Sequence, residues 1–404
     1  MSAQHTARFP IETRATPGKM LGMSPTAFLR DYWQQRPLLI RRAFPDFIDP
    51  LQADDLGGLA CEELALARIV NHDPRADRWT LRNGPFVEED FATLPSSHWT
   101  LLVQDVDKWD ADVAALLEHF AFIPSWRIDD VMVSYAERGG TVGAHVDQYD
   151  VFLIQGMGRR RWQIDANPRA PKAFRDDVEL RLLREFTPSH DWILEPGDML
   201  YLPPGIAHYG VAEDPCLTYS VGMRAPAMAE MLSDFSGFLA ERMGEDQRYS
   251  DAGMTTARRA GEIDDSVIGK IKQALSDSLA LEPKLLRRWW GCFITRYRMA
   301  HEIQPRPKPL GHAQFAKQIA SGGSLLLNPW TRLAWSKDGR GAILFVAGES
   351  LACPRALATR LCQRQPFEPT ELLALGNEAL ELLRALFNAG HLAFRRSRKR
   401  HDPR

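Results

Sequence analysis

The chain has no apolar run approaching the roughly eighteen residues that span a membrane as a helix. Its opening stretch, MSAQHTARFPIETRATPGKM, lacks the apolar centre of a secretory signal. Cysteine is scarce. The five present, Cys61, Cys216, Cys292, Cys353 and Cys362, are scattered, odd in number and form no C-x-x-C pair. That argues against a disulfide framework and against a thiolate zinc site. Neither sign of charge dominates, with 50 Lys and Arg against 52 Asp and Glu, so the overall basic footprint of a nucleic-acid binder is missing. These absences together predict a reduced, cytoplasmic protein without a membrane segment.

What remains is ordinary for a globular chain. A hydrophobic fraction of 45% and a charged fraction of 25% over 404 residues give ample core for two or three domains. No internal repeat is visible. Residues 1 to about 125 mix helical and loop signals. SPTAFLRDYWQQRPLLIRRAF predicts a helix from near Ser24, with Trp33 and Leu38 among its apolar residues. CEELALARIV from Cys61 and DADVAALLEHFAFIP from Asp110 repeat the three-four apolar spacing expected of further helices.

Between 126 and 224 the texture changes to short β-rich runs: DVMVSYAE, DVFLIQG, RRRWQI, DWILEPGDMLYLP and CLTYSVGMRA, separated by Gly, Pro and Asp turns. Strands at such intervals, without alternating helices, predict a sandwich or small barrel that can hold one ligand in its mouth. From 226 to about 300 the spacing predicts three amphipathic helices. The Pro-rich QPRPKPLG at 304 to 311 then reads as a linker. Residues 312 to 404 predict a separate small α+β unit. It has a hairpin turning at Asp338-Gly339 and one long helix over PTELLALGNEALELLRALFNAG, stopped at Gly390.

Two fragments carry the chemistry. Gly139 to Asp147 reads GGTVGAHVD, and Gly197 to His208 reads GDMLYLPPGIAH. An extended backbone points His145 and Asp147, at i and i+2, to the same side. The Pro-Pro-Gly step brings His208 in with little backbone freedom. Either histidine alone is more often an ordinary surface or core residue, and an H-x-D pair alone is a weak motif. The two fragments in this order supply two imidazoles and a carboxylate, a facial triad suited to Fe(II), and also to Mn, Ni or Zn. Zinc hydrolases use the same ligand types, so the ligands alone do not fix the reaction.

A second anchor separates the possibilities. A 2-oxoglutarate cosubstrate that chelates iron needs a cation deeper in the barrel for its far carboxylate. GMGRRRWQI offers Arg159, Arg160 and Arg161, and strand alternation puts Arg160 on the face of Trp162 and Ile164. A buried arginine almost requires an anion. Arg160 is therefore the candidate, with Arg159 and Arg161 on a solvated face. Ser134, on the inferred strand DVMVSYAE, is a candidate cosubstrate donor, although a plain strand hydroxyl is its commoner role. Gln148, Tyr149 and Asp150 follow the H-x-D pair and either line the entrance or serve the turn.

HVDQYDVFLIQGMGRRRW and LEPGDMLYLPPGIAHYG resemble the Jumonji-C branch of the cupin superfamily. More closely, they resemble the bacterial ribosomal oxygenases that hydroxylate an arginine on a large-subunit ribosomal protein. The resemblance covers nearly the whole chain and implies an α+β architecture. Residues 1–225 would form a Jumonji-C catalytic domain, with a double-stranded β-helix (jelly-roll, cupin) barrel over about 126–224. Residues 226–303 would form a helical dimerisation segment, and 312–404 a winged-helix-like domain. It places the iron ligands on His145, Asp147 and His208 and the cosubstrate cation on Arg160. It implies Fe(II), 2-oxoglutarate and dioxygen, release of succinate and carbon dioxide, and a homodimer. It assigns no substrate-contacting residues.

The same chemistry would also serve a protein lysine demethylase, although no histone-reading module is recognisable. A metal-dependent cupin isomerase or hydrolase would not need Arg160. A non-catalytic winged-helix scaffold would be expected to have lost at least one ligand. Trp289-Trp290 reads as core or dimer contact. The basic tail RRSRKRHDPR reads as a solvated terminus, with nucleic-acid contact the less favoured alternative.

Overall fold

The structure is a computed structural model describing residues 9–395 other than 168, 255, 257, 258, 280, 281 and 298. The basic tail from 396 onward lies outside the described residues. The chain divides into two compact units, 1–225 and 226–404.

Among the described residues the first unit has thirteen strands: β1 (Glu12–Arg14), β2 (Leu38–Arg41), β3 (Ala67–Asp73), β4 (Arg78–Asn83), β5 (Trp99–Val103), β6 (Ile128–Ala136), β7 (His145–Val146), β8 (Val151–Gln155), β9 (Arg160–Asp165), β10 (His190–Leu194), β11 (Met199–Leu202), β12 (Ala207–Ala212) and β13 (Cys216–Met223). Nine make a large sheet in the order β1-β2-β11-β8-β13-β6-β5-β3-β4, and four make a small sheet in the order β10-β9-β12-β7. The β1–β2 pair is parallel and the other pairs are antiparallel.

Period-two alternation sorts the side chains between two cores. Leu39, Val151, Leu153, Leu200 and Leu202 of the large sheet pack against Trp162, Ile164 and Leu194 of the small one, filling one end of the barrel. Their neighbours Leu38, Ile40, Phe152, Ile154, Met199 and Tyr201 face the other way. There they meet Phe28, Leu56, Val106, Val113 and Phe120 from the N-terminal helical elements. A large sheet covered on both faces explains why β13 is buried at every position. Each fully buried large apolar side chain contributes about 1.5–3 kcal/mol.

The second unit has helices Met228–Ala240, Asp265–Leu279, Pro283–Thr295, His312–Ala320, Arg355–Cys362, Pro369–Leu373 and Asn377–Asn388. Its strands are β14 (Leu325–Leu327), β15 (Leu333–Asp338), β16 (Gly341–Val346), β17 (Glu349–Cys353) and β18 (Leu392–Phe394). β15, β16 and β17 form an antiparallel three-stranded sheet, and β14 pairs with β18.

Several local expectations change. The helix capped by Ser24 ends at Asp31, so Leu38 lies on a strand and Trp33 beyond the helix. The run from Cys61 supplies strand β3, because Ile69 and Val70 are buried and β3 pairs on both sides. Sheet pairing overrides a helical spacing that short. The predicted long C-terminal helix breaks in two before Gly376. Trp289 is core, 5% exposed, with its indole N–H donating to Asp234.

Candidate active site

The site is assembled by register across the small sheet. His208 on β12 pairs directly with His145 on β7, and the ring centroids lie 4.2 Å apart. Asp147 follows β7 and places Oδ2 3.6 Å from His208 Nε2 and 3.9 Å from His145 Nε2. A ligand atom from each of the three lies within 4.8 Å of the others, the one such group among the described residues. The two sequence fragments are also tied through the backbone. The Gly205 N–H of the Pro-Pro-Gly turn donates to the Asp147 carbonyl at 2.8 Å.

The imidazoles are held alike. His145 Nδ1 lies 2.9 Å from the Gly143 carbonyl and His208 Nδ1 3.0 Å from the Ile206 carbonyl. A carbonyl can only accept, so Nδ1 carries the proton and Nε2 is left with its lone pair. Burial, followed by the neighbouring His145, pushes the His208 imidazole down to about 4, so it is neutral near pH 7. Gly143 adopts φ +80°, and a Cβ there would stand 2.5 Å from Leu182.

Arg160 opens β9, opposite Ala212 on β12. It is 3% exposed, whereas Arg159 and Arg161 are half-exposed and pair with Asp214, Asp191 and Glu213. Arg160 donates to the Gly210 carbonyl at a long 3.4 Å and lies 5.1 Å from the Trp162 ring centroid. No carboxylate pairs with it among the described residues, and its Nε has no hydrogen-bond partner there. Burial pulls its pKa below the ordinary guanidinium value. Gly210 makes the room, since a Cβ would come within 2.8 Å of Arg160 Nε and 2.7 Å of Trp162.

β6 brings further groups to the interior face. Ala136 packs with Ala212 and Cys216, so Ser134 and Asp130, at two-residue steps, share that face. Ser134 is buried, paired with Thr218. Asp130 gathers with Asp105, Asp107 and Asp129, offset by Lys108. Burial first, then Asp105, Asp129 and Asp107, push its carboxyl up to about 7. Tyr149 stands close to Asp147 and Asp130, and burial followed by Asp147 raises its hydroxyl. Asp150 is fully buried, accepting from the Tyr201 hydroxyl at 2.6 Å, Gln34 at 3.0 Å and Arg127 at 3.1 Å, so it secures the end of the ligand loop. Sequence reasoning overlooked the acidic group and Cys216. Asp130 at the head of DVMVSYAE, with Asp129 just before it, was a readable signal for the first, whereas nothing local marks the second.

Comparison with known proteins places this geometry. Residues 115–231 match the model for the JmjC domain, and 273–393 that for a ROXA-like winged helix. The chain is 38% identical over 282 residues to the ribosomal protein uL16 3-hydroxylase of Escherichia coli, covering 70% of this chain and 74% of that one. It is 39% identical over 263 residues to a probable ribosomal oxygenase of Haemophilus influenzae, covering 64% and 65%. Among solved structures, the Escherichia coli ribosomal oxygenase YcfD in complex with cobalt and 2-oxoglutarate matches with a TM-score of 0.79 at 33% identity. That match covers 93% of this chain and 99% of that one. The chain belongs to the Jumonji-C family of ribosomal oxygenases.

Proposed function

We propose that this protein is an Fe(II)- and 2-oxoglutarate-dependent oxygenase that hydroxylates an arginine side chain of a large-subunit ribosomal protein. The observation that carries the reading is Arg160, a buried guanidinium with no carboxylate partner among the described residues. Leaving a buried cation unpaired costs several kcal/mol, so the site calls for an anion from outside the chain. A dicarboxylate held to the triad by one end supplies it with the other, and the planar fork of Arg160 suits a carboxylate. An isomerase or hydrolase without cosubstrate leaves that cation unexplained.

The donor set fits the metal. His145 and His208 present Nε2, and Asp147 presents a carboxylate oxygen, a combination suited to Fe(II). Ser134 is the further cosubstrate donor in this reading. When bound, iron, 2-oxoglutarate and dioxygen supply the C–H hydroxylation, with release of succinate and carbon dioxide. The chain's own residues do the rest. The tie from Gly205 to Asp147 fixes the ligand loop, and the apolar barrel end keeps water from the interior. Asp130 with its acidic neighbours attracts a cationic side chain.

We assign residues 1–225 to catalysis, 226–303 to dimerisation and 312–404 to the winged-helix-like part. The helix Asp265–Leu279 exposes Ile268, Ile271, Leu275 and Leu279, spaced along one stripe, which supports a contact with a second copy. A ribosomal substrate supports a cytoplasmic location.

The test is succinate formation from 2-oxoglutarate with Fe(II) under air, with and without arginine-bearing peptides from large-subunit ribosomal proteins, followed by intact mass. The expected result is peptide-stimulated turnover, a product heavier by one oxygen atom, and loss of both in His208→Ala. Loss of a methyl group from a methylated peptide would establish demethylation instead. Failure to bind 2-oxoglutarate would overturn the oxygenase reading.

A further inference from the structure

Apart from the Trp162 ring, the groups around the Arg160 guanidinium are few and small. Its register partner Ala212 packs with Ala136 and Cys216 in a separate buried cluster at this end of the barrel. Cys216, the first residue of β13, is 0% exposed and packs against Ala212, the residue directly opposite Arg160 in the register. The Gln155 amide also neighbours Cys216, and its Nε2 donates to the carbonyls of Met157, Gly158 and Leu217 at 3.2, 3.3 and 3.1 Å. The remaining hydrogen bond to Arg160 is the long one to Gly210, and Nε is left without a partner among the described residues.

Resting on the cosubstrate reading above, we propose that Cys216 is a positioning residue that holds the Arg160 guanidinium ready for the far carboxylate of 2-oxoglutarate. The choice of a thiol has a physical reason. Sulfur is a weak acceptor, so it can orient a guanidinium N–H without neutralising the cation. A carboxylate at 216 would pair with Arg160 outright and remove its demand for the cosubstrate. Alanine would leave the guanidinium with the Trp162 ring and one long hydrogen bond to the Gly210 carbonyl, less firmly held in its productive direction. Serine keeps a small acceptor at nearly the same place.

The test compares Cys216→Ala with Cys216→Ser in the full chain. The first readout is the rise in melting temperature caused by 2-oxoglutarate in the presence of Mn(II), which needs no turnover. The second is steady-state kinetics with Fe(II). Cys216→Ala is expected to lose most of the cosubstrate-induced rise. Its KM for 2-oxoglutarate should increase about fivefold, the scale of one neutral hydrogen bond, with kcat and the KM for the protein substrate unchanged. Cys216→Ser should restore both readouts. An alanine variant that binds 2-oxoglutarate like the parent would overturn the proposal. So would a serine variant as impaired as alanine, because volume rather than an acceptor would then be what matters. Absence of a 2-oxoglutarate-induced rise in the unmodified protein would instead remove the cosubstrate reading itself.

Discussion

Arg160 is a residue costly to the fold, and the proposed function makes it the anchor of the cosubstrate. Its charge is buried at 3% exposure without a carboxylate among the described residues, so removing it relieves a desolvation cost. Arg160→Met is expected to leave the melting temperature without cosubstrate unchanged or higher, while the KM for 2-oxoglutarate rises more than about tenfold. Melting curves with and without 2-oxoglutarate separate the two effects, and a variant that binds normally would contradict the assignment. Asp130 gives a pH dependence. Its carboxyl titrates near 7, held up by burial and by Asp105, Asp129 and Asp107. Above that value it is an anion that attracts a cationic side chain; below it is neutral. The KM for an arginine peptide should therefore rise as pH falls through about 7, and Asp130→Asn should flatten the profile. The stability effect has the opposite sense. The folded chain holds this proton more tightly than the unfolded one, so the Asp130 contribution to stability declines as pH rises from the ordinary carboxylate value to about 7. Asp130→Asn should accordingly melt higher than the parent at alkaline pH.

Strand β12 is where the elements of the site converge. It carries His208 against β7, Gly210 against Trp162 of β9, and Ala212 against Arg160. Its inward positions run from His208 to the partner of Arg160 within a few residues, so side-chain size along it is tightly set. Gly210→Ala puts a methyl group 2.8 Å from Arg160 Nε and 2.7 Å from Trp162. The expected cost is about 1–3 kcal/mol of stability, with weakened binding of 2-oxoglutarate, read by denaturant unfolding and by ligand-induced melting shifts. The element level also shows where spacing misleads. CEELALARIV has helical periodicity over a few residues, yet pairing of β3 with β4 and β5 draws it into the large sheet. A short segment follows the hydrogen bonds that tertiary neighbours offer, as propensities are weak against such pairing.

Across the whole molecule, near-neutrality conceals a division. Residues 1–225 hold 33 acidic against 23 basic side chains, and 226–404 hold 19 against 27. The unit with the candidate active site is thus the acidic one, which suits a cationic substrate. The proposed second-copy contact is tested at this scale. Leu275→Glu, in the exposed stripe of the helix Asp265–Leu279, places a charge in an apolar face. Sedimentation should show the unmodified chain at twice the monomer mass and the variant at the monomer mass. A dimer surviving the change would move the interface elsewhere.

By itself the sequence determined β6, β8 to β11 and β13, because alternation and Gly or Pro turns are local signals; β7 and β12 lie outside its β-rich runs. It also picked out His145, Asp147 and His208, since a short pair and a rigid turn mark them within their own neighbourhoods. Arg160 was separable from Arg159 and Arg161 by alternation alone. Tertiary structure decided the rest. It built β1 to β5 into the large sheet, set β7 opposite β12 so that the two imidazoles meet, and gathered Asp130 with Asp105 and Asp107 from a separate segment. It also packed Cys216 against Ala212, opposite an Arg160 more than fifty residues away from Cys216 in the chain. Those juxtapositions depend on strand pairing between distant segments, and no window of sequence carries that information.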